Sequence, residues 1–173
     1  MKETLEVINR MQADGVIGRY AIGGAVGATF YLEPVATLDI DVFVSFRTIA
    51  DGPLISLSPL YDYLKARGHK TRGEYIVIGG WPVQFLPPGD ALCAEALEEA
   101  VKTKVEGVPT RVMTAEHLVA IALQLGRAKD HARILQFTES GTLDAVKLDA
   151  ILSRHGLLEK WKRFGYKFLE GKP

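Results

Sequence analysis

The chain has 173 residues, of which 47% are hydrophobic and 24% charged, and this composition suits one globular domain, alone or with a helical appendage. The 21 basic side chains balance 21 acidic ones, and Cys93 is the single cysteine, which excludes a strongly charged protein, an internal disulfide and a multi-cysteine metal site. The N-terminus lacks a signal-peptide core and no apolar run approaches the ~20 residues of a spanning helix, so we expect a cytoplasmic protein without a membrane partner.

The first part of the chain alternates helix and strand signals. In order, we predict a short amphipathic helix ending at Gly15, a strand over 19–22, a helix over 25–32 and a strand over 38–46. Gly23 and Gly24 end the first strand. The second strand is almost continuously apolar apart from two aspartates, which is typical of a strand that is buried on at least one face.

The middle of the chain predicts a helix, a hairpin and a second helix. A loop containing Gly52 and Pro53 leads to a helix over 57–67, and residues 74–78 and 81–86 form a hairpin around a two-glycine turn. Asp90 caps a helix that we expect to run to about residue 104, before a short strand over 110–113.

Everything after residue 113 has helical periodicity. Helices are predicted from Thr114, over 129–138, over 143–153 and over 157–168. The predicted fold is therefore α/β (α+β), with a small mixed β-sheet core in 1–113 and a helical C-terminal part in 114–173 packed on it as one compact unit.

Asp39 and Asp41 are the residues most suggestive of chemistry. Side chains two apart in a strand point to the same face, so these carboxylates lie together while Ile40 and Val42 enter the core. Two neighbouring carboxylates repel each other unless a cation lies between them, and Mg²⁺ prefers carboxylate and phosphate oxygens. The alternative is an acidic pair at a solvent-facing edge of a sheet, and we favour the metal site.

The glycine pair, the helix after it and the Asp39-x-Asp41 strand resemble the signature of the polymerase-β-type nucleotidyltransferase superfamily. The later segment 113–123, followed by Arg127-x-Lys129-Asp130, resembles the helical part of the AbiEii toxin-like branch, whose members include toxins of phage-defence and toxin–antitoxin systems. The resemblance covers roughly residues 19–137.

The resemblance implies a role for each matched residue. Gly23 and Gly24 would approach the phosphates of a nucleoside triphosphate, and Asp39 and Asp41 would bind Mg²⁺ or Mn²⁺. A third carboxylate is usual on a neighbouring strand in this superfamily, and the matching position here is Gln84. Gln84 is either a substitute in the catalytic set or an ordinary polar residue of an open strand face.

Arg127 and Lys129 have two readings. They either reach the triphosphate across the cleft or form a charged helix junction in which Asp130 pairs with a nearby base.

Two functional hypotheses follow. The first is a Mg-dependent nucleotidyltransferase that transfers a nucleoside monophosphate from a triphosphate to an RNA, protein or small-molecule acceptor, with an antitoxin protein as a further partner. The second, motivated by Gln84, is a catalytically silent module of the same fold that binds a nucleotide or a partner.

Overall fold

A computed structural model describes residues 1–33, 37, 39–46 and 56–169 of the chain. These residues form eight helices and seven strands. The helices are α1 Lys2–Ala13, α2 Gly24–Ala28, α3 Ser58–Ala66, α4 Ala91–Glu98, α5 Ala115–Leu125, α6 Ala128–Ser140, α7 Ala145–Arg154 and α8 Leu158–Phe168. The strands are β1 Tyr20–Ile22, β2 Ile40–Val44, β3 Lys70–Arg72, β4 Tyr75–Ile78, β5 Trp81–Leu86, β6 Val101–Val105 and β7 Val108–Val112.

The strands form one mixed sheet in the order β3-β4-β5-β2-β1-β7-β6. The pairs β2–β5 and β1–β7 are parallel, and all other neighbours are antiparallel. In the β2–β5 register Asp41 lies opposite Gln84, and β1 places Ile22 opposite Val42. The predicted α/β fold with a mixed sheet is therefore confirmed, and β2 lies near its centre.

Helices cover both faces of the sheet. One face packs its apolar side chains against α1 and α3, in a cluster that includes Leu5, Ile8, Val42 and Leu64. The other face contacts a second cluster, formed mostly by α4 to α8. Because side chains alternate along a strand, the residues of β2 that do not enter the first core point toward the helical layer.

The second cluster joins the two parts of the chain predicted to meet near residue 113. It combines Leu92 and Leu97 of α4 with Leu118 and Val119 of α5. A polar link supports it, since the Glu95 carboxylate of α4 accepts hydrogen bonds from Arg154 at 2.6 Å and His155 at 2.7 Å. The hydrogen bond from Arg154 is the main reason that the pKa of Glu95 falls from 4.5 to about 2.

The prediction of a helix from Asp90 to about residue 104 is wrong in its second half. Asp90 does cap α4, accepting a bond from the Cys93 amide at 2.8 Å, but α4 ends at Glu98 and 101–105 is strand β6. The β-branched residues of this segment, Val101, Thr103 and Val105, alternate with lysines, which is a strand period. A tight turn with positive φ at Glu106 and Gly107 then returns the chain into β7.

Smaller differences concern bounds. The helix predicted over 25–32 is the five-residue α2 followed by turns, and β3 is an additional strand that pairs with β4. The 74–86 hairpin is confirmed, with Gly79 and Gly80 at φ of 57° and 81°. The predicted loop at Gly52 and Pro53 lies outside the described residues. Within the part of the chain that the structure describes, no helix is both long and apolar enough to cross a membrane.

Candidate active site

A large cleft lies between the sheet and the helical layer, with a volume of about 1480 Å³. The sheet side contributes Asp39, Asp41 and Gln84, and the facing wall comes from α5, α6 and their connection. The elements that build it are distant in sequence, since β2 and β5 supply the sheet side and α6 supplies part of the facing wall. The cleft therefore exists only when the helical part is folded against the sheet.

Asp41 is fixed by the first strand and the glycine pair. The amide of Gly23 donates a 2.9 Å hydrogen bond to the carbonyl oxygen of Asp41, which extends the β1–β2 ladder by one residue. Gly24 follows with φ of +58°, and a Cβ on this residue would overlap the carboxylate oxygen Oδ2 of Asp41. Glycine is thus required at position 24 by both the backbone conformation and the close approach of a carboxylate.

Gly23 has a different role from Gly24. It does not line the cleft, and a Cβ at this position would meet the ring of Phe43 at 2.7 Å. Its glycine identity is therefore explained by the packing of the sheet against the helical layer.

Asp41 of β2 and Asp39, which immediately precedes β2, repel each other electrostatically. Burial, and next the negative charge of Asp39, raise the pKa of Asp41 above its ordinary value. Three cations from α6 and its N-cap, namely Lys129, Arg133 and Arg127, oppose this rise. The Asp41 carboxylate is thus partly desolvated, close to a second carboxylate and attracted by positive charges across the cleft.

The cations come from the sharp connection between α5 and α6. Gly126 ends α5 in the left-handed conformation, with φ of 67°, and Arg127 is the N-cap of α6. The Nε atom of Arg127 donates to the buried Asp130 at 2.6 Å, while the Arg127 amide also donates to Asp130 at 3.1 Å. Lys129 is exposed and lines the cleft.

This arrangement bears on both readings of the Arg127–Asp130 segment. Asp130 does pair with a base, as the junction reading expects, and Arg127 and Lys129 also line the cleft opposite Asp41. The two readings are compatible, because the ion pair orients the helix start that presents the cations.

Arg133 belongs to the same group and was missed by the motif. It lies four residues after Lys129 on α6, so both side chains occupy one face of the helix, and it lines the same cleft. The i, i+4 spacing from Lys129 was the sequence signal that could have identified Arg133 as a cleft residue.

Gln84 lies on the cleft side of β5, next to Asp41. Its Nε2 atom donates a 3.3 Å hydrogen bond to the Oε2 atom of Glu74, an exposed residue in the turn between β3 and β4. The pairing of β3 with β4 places Glu74 in the cleft. The contact depends on long-range pairing, so no local pattern predicts it.

The donor set fits a hard divalent cation. Asp39 and Asp41 offer carboxylate oxygens that repel each other in the metal-free protein, and this repulsion falls when a cation binds between them. Across residues 1–33, 37, 39–46 and 56–169, no group of three or more His, Cys, Asp or Glu side chains is arranged to hold a metal. The described residues therefore offer two carboxylates here, and further ligands would come from water or phosphate oxygens.

Comparison with known proteins bears on the fold. The sequence matches no protein-family model and no curated protein. The structure is similar to the crystal structure of ANT(2'')-Ia in complex with adenylyl-2''-tobramycin, at 16% identity over 91% of this chain and 98% of that one, with a TM-score of 0.52. The solution structure of the antibiotic-resistance factor ANT(2'')-Ia is similar at 17% identity over 94% and 97% of the two chains, with a TM-score of 0.51.

A further solved structure has a similar architecture. An antigenic nucleotidyltransferase-like protein from Paracoccidioides brasiliensis shares 14% identity over 99% of this chain and 94% of its own, with a TM-score of 0.55. The chain therefore has a nucleotidyltransferase-like fold.

Proposed function

We propose that this chain is a nucleotidyltransferase that uses Mg²⁺ or Mn²⁺ and a nucleoside triphosphate. The observation that carries the proposal is the opposition of charges across one cleft, with Asp39 and Asp41 on the sheet and Arg127, Lys129 and Arg133 on the helical layer. A metal–triphosphate complex has the same separation of charge, positive at the metal and negative along the phosphates. The nucleotidyltransferase-like fold supports the same reading.

Each group has a defined task in this proposal. Asp39 and Asp41 hold the metal, which when bound neutralises charge on the phosphate oxygens and orients the phosphorus for in-line attack. Gly24 leaves room for the phosphates because it has no side chain beside Asp41. Lys129 and Arg133 bind phosphate oxygens from the opposite wall, and Arg127 presents the start of α6 as well as its own charge.

We further propose the AbiEii-like branch, which the Arg127-x-Lys129-Asp130 segment supports. The acceptor is then an RNA, a protein or a small molecule, and an antitoxin protein is a proposed partner. A cytoplasmic location, where nucleoside triphosphates are available, remains part of the same proposal.

Titration calorimetry with Mg-ATP, Mg-GTP, Mg-CTP and Mg-UTP tests the binding step. We expect the wild type to bind at least one triphosphate, Asp41→Asn to lose that binding, and the matched surface variant Asp149→Asn on α7 to retain it. A wild type that binds none of the four triphosphates would refute the proposal.

A second candidate function is favoured by Gln84, which places an amide beside Asp41 on the neighbouring strand. An amide does not accept a proton at neutral pH, so a protein limited to these groups would bind a nucleotide without turnover. Incubation of α-labelled triphosphates with lysate RNA and protein discriminates the two functions. Label transfer that Asp39→Asn abolishes supports the enzyme, and triphosphate binding without transfer supports the silent module.

A further inference from the structure

The proposed transfer reaction needs a group that removes a proton from the acceptor, and neither β2 nor β5 offers an obvious one. An acceptor hydroxyl that attacks phosphorus must lose its proton, and a carboxylate within reach of the acceptor performs this task well. Carboxylates committed to a cation use their oxygen lone pairs for the metal. Asp39 and Asp41 are therefore occupied in the proposed enzyme.

The remaining acidic residues in the cleft differ sharply. Among the described residues that line it, Asp130 and Glu74 are the other two acids. Asp130 is 1% exposed and its carboxylate accepts three hydrogen bonds from Arg127, so its oxygens are already occupied. Glu74 is exposed, and within the described part of the chain no lysine or arginine forms an ion pair with it.

Glu74 is held in place although it lies in a turn. Gly73 precedes it with φ of 63°, and the hydroxyl of Tyr61 on α3 donates to the Glu74 carbonyl oxygen at 3.3 Å. Its carboxylate accepts the 3.3 Å bond from Gln84. The main chain and the side chain are thus each fixed by a neutral donor.

The partner of Glu74 defines its distance from the metal-binding strand. Gln84 pairs with Asp41 in the parallel register, and neighbouring strands are about 4.8 Å apart. Tyr75 gives a second reference point, because desolvation and then the charges of Asp39 and Glu74 raise the pKa of its hydroxyl. Glu74 therefore lines the same cleft as both aspartates and contacts Gln84, the residue that pairs with Asp41.

We propose that Glu74 is the general base of the transfer reaction, positioned by Gln84 and supplied by the β3–β4 turn rather than by a central strand. This inference rests on the proposed nucleotidyl transfer. The acceptor oxygen forms a bond to the α-phosphorus, and the bond from that phosphorus to the oxygen bridging to the β-phosphate breaks. The electron pair of the broken bond leaves with pyrophosphate, and the hydroxyl proton passes to the Glu74 carboxylate and then to solvent.

Gln84 has a defined part in this arrangement. It is a positioning residue whose amide directs the Glu74 carboxylate toward the acceptor side of the cleft. The presence of an amide beside Asp41 is then compatible with turnover, since the proton acceptor is the group to which that amide is bonded.

The experiment compares Glu74→Gln with the wild type in two assays. Calorimetry with the four Mg-triphosphates measures binding, and α-labelled triphosphates with lysate RNA and protein measure transfer. We expect Glu74→Gln to bind triphosphate within about threefold of the wild type and to transfer label about 100-fold more slowly, with kcat reduced and KM for the triphosphate unchanged. The matched control Glu6→Gln, on α1 at the opposite face of the sheet, is expected to behave as the wild type in both assays.

An exchanged pair separates a chemical role from a structural one. The double variant Glu74→Gln with Gln84→Glu preserves an amide–carboxylate contact and moves the carboxylate to β5, beside Asp41. We expect it to recover part of the lost rate, whereas Glu74→Gln with Gln84→Leu is expected to recover none.

The outcomes distinguish this inference from the function on which it rests. Transfer by Glu74→Gln at the wild-type rate overturns the assignment of the base and leaves the transferase intact. A wild type that binds triphosphate but transfers no label also overturns the assignment, while the nucleotide site stands. A wild type that binds no triphosphate refutes the proposed function itself.

Discussion

Replacement of Asp41 by asparagine is expected to have opposite effects on stability with and without metal. The substitution keeps the shape of the side chain against Gly24 and removes its charge. In the metal-free protein that charge is partly buried and repelled by Asp39, so its removal is expected to stabilise the fold.

The magnitude follows from the strand geometry. Residues two apart in a strand are ~6.6 Å apart, and two unit charges at that separation repel each other by ~2.5 kcal/mol at an effective dielectric constant of ~20. Attraction by Lys129, Arg133 and Arg127 offsets part of this repulsion. We therefore expect metal-free Asp41→Asn to be more stable than the wild type by about 1 kcal/mol, which raises Tm by roughly 2–4 °C in a chain of this size.

Metal binding is expected to reverse the order of stability of the wild type and Asp41→Asn. At a concentration 100 times its Kd, a ligand that binds only the native state adds about 2.7 kcal/mol of stability, and Asp41→Asn is expected to gain almost none of it. The wild type then becomes the more stable protein.

The pH dependence has a definite sign. Because the pKa of Asp41 is raised in the folded state, its charge costs stability above that pKa, and the cost disappears as the pH falls through it. The advantage of the metal-free variant should therefore shrink in acid.

Thermal unfolding followed by circular dichroism, with excess EDTA and then with Mg²⁺ or Mn²⁺, measures the stability of both proteins without and with metal. The control Asp149→Asn, an exposed site on α7, is expected to change stability by less than about 0.5 kcal/mol in each condition. An Asp41→Asn protein that is less stable than the wild type in EDTA would refute the reasoning, because the carboxylate would then be a structural group. A wild type that no divalent ion stabilises would refute the metal site.

Three further predictions concern groups around the cleft and the helical layer. Gly24→Ala is expected to lower the free energy of unfolding, measured with urea, by about 1–2 kcal/mol, because alanine is strained at positive φ and its Cβ displaces Asp41. Because the Asp41 carboxylate is displaced, the metal-dependent rise in Tm should also vanish in this variant. Lys129→Ala should weaken triphosphate binding by about tenfold in calorimetry without a change in Tm, whereas Lys147→Ala on α7 should leave the affinity unchanged. Glu95→Gln should lower the free energy of unfolding by about 2 kcal/mol at neutral pH. Because the pKa of Glu95 is depressed from 4.5 to about 2, the stability difference between variant and wild type should disappear as the pH falls across that interval in an acid titration.

Local sequence patterns predicted many of the residues that line the candidate site. Asp39 and Asp41 were predicted to share a face because strand side chains alternate, and both line the cleft. Gly23 and Gly24 were predicted together as a tight turn between a strand and a helix, and of the pair Gly24 lines the cleft. Arg127 and Lys129 came from a motif in the helical part, and the fold brings them opposite Asp41.

The features missed from sequence depend on pairing between distant segments or on a competition between two local periods. Glu74 enters the cleft because β3 and β4 pair and the Glu74 side chain meets Gln84, and neither contact leaves a trace near residue 74. For β6 the alternation of valine and threonine with lysine was visible, but the strong helix cap at Asp90 favoured the extension of α4. Tertiary pairing with β7 decided the outcome.

The opposed charges of the cleft have a consequence for ionic strength. The acidic and basic side chains that line the cleft balance each other, with Asp39, Asp41, Glu74 and Asp130 against Arg72, Arg127, Lys129 and Arg133. The cleft is therefore close to electrically neutral while having an internal dipole between the sheet and α6, and the whole chain has a formal charge of +0. A dipolar site attracts a metal–triphosphate complex at short range and offers little long-range steering. Its association rate should therefore change little with added salt, unlike that of a uniformly basic nucleotide site, and stopped-flow measurements across a salt series would detect the difference.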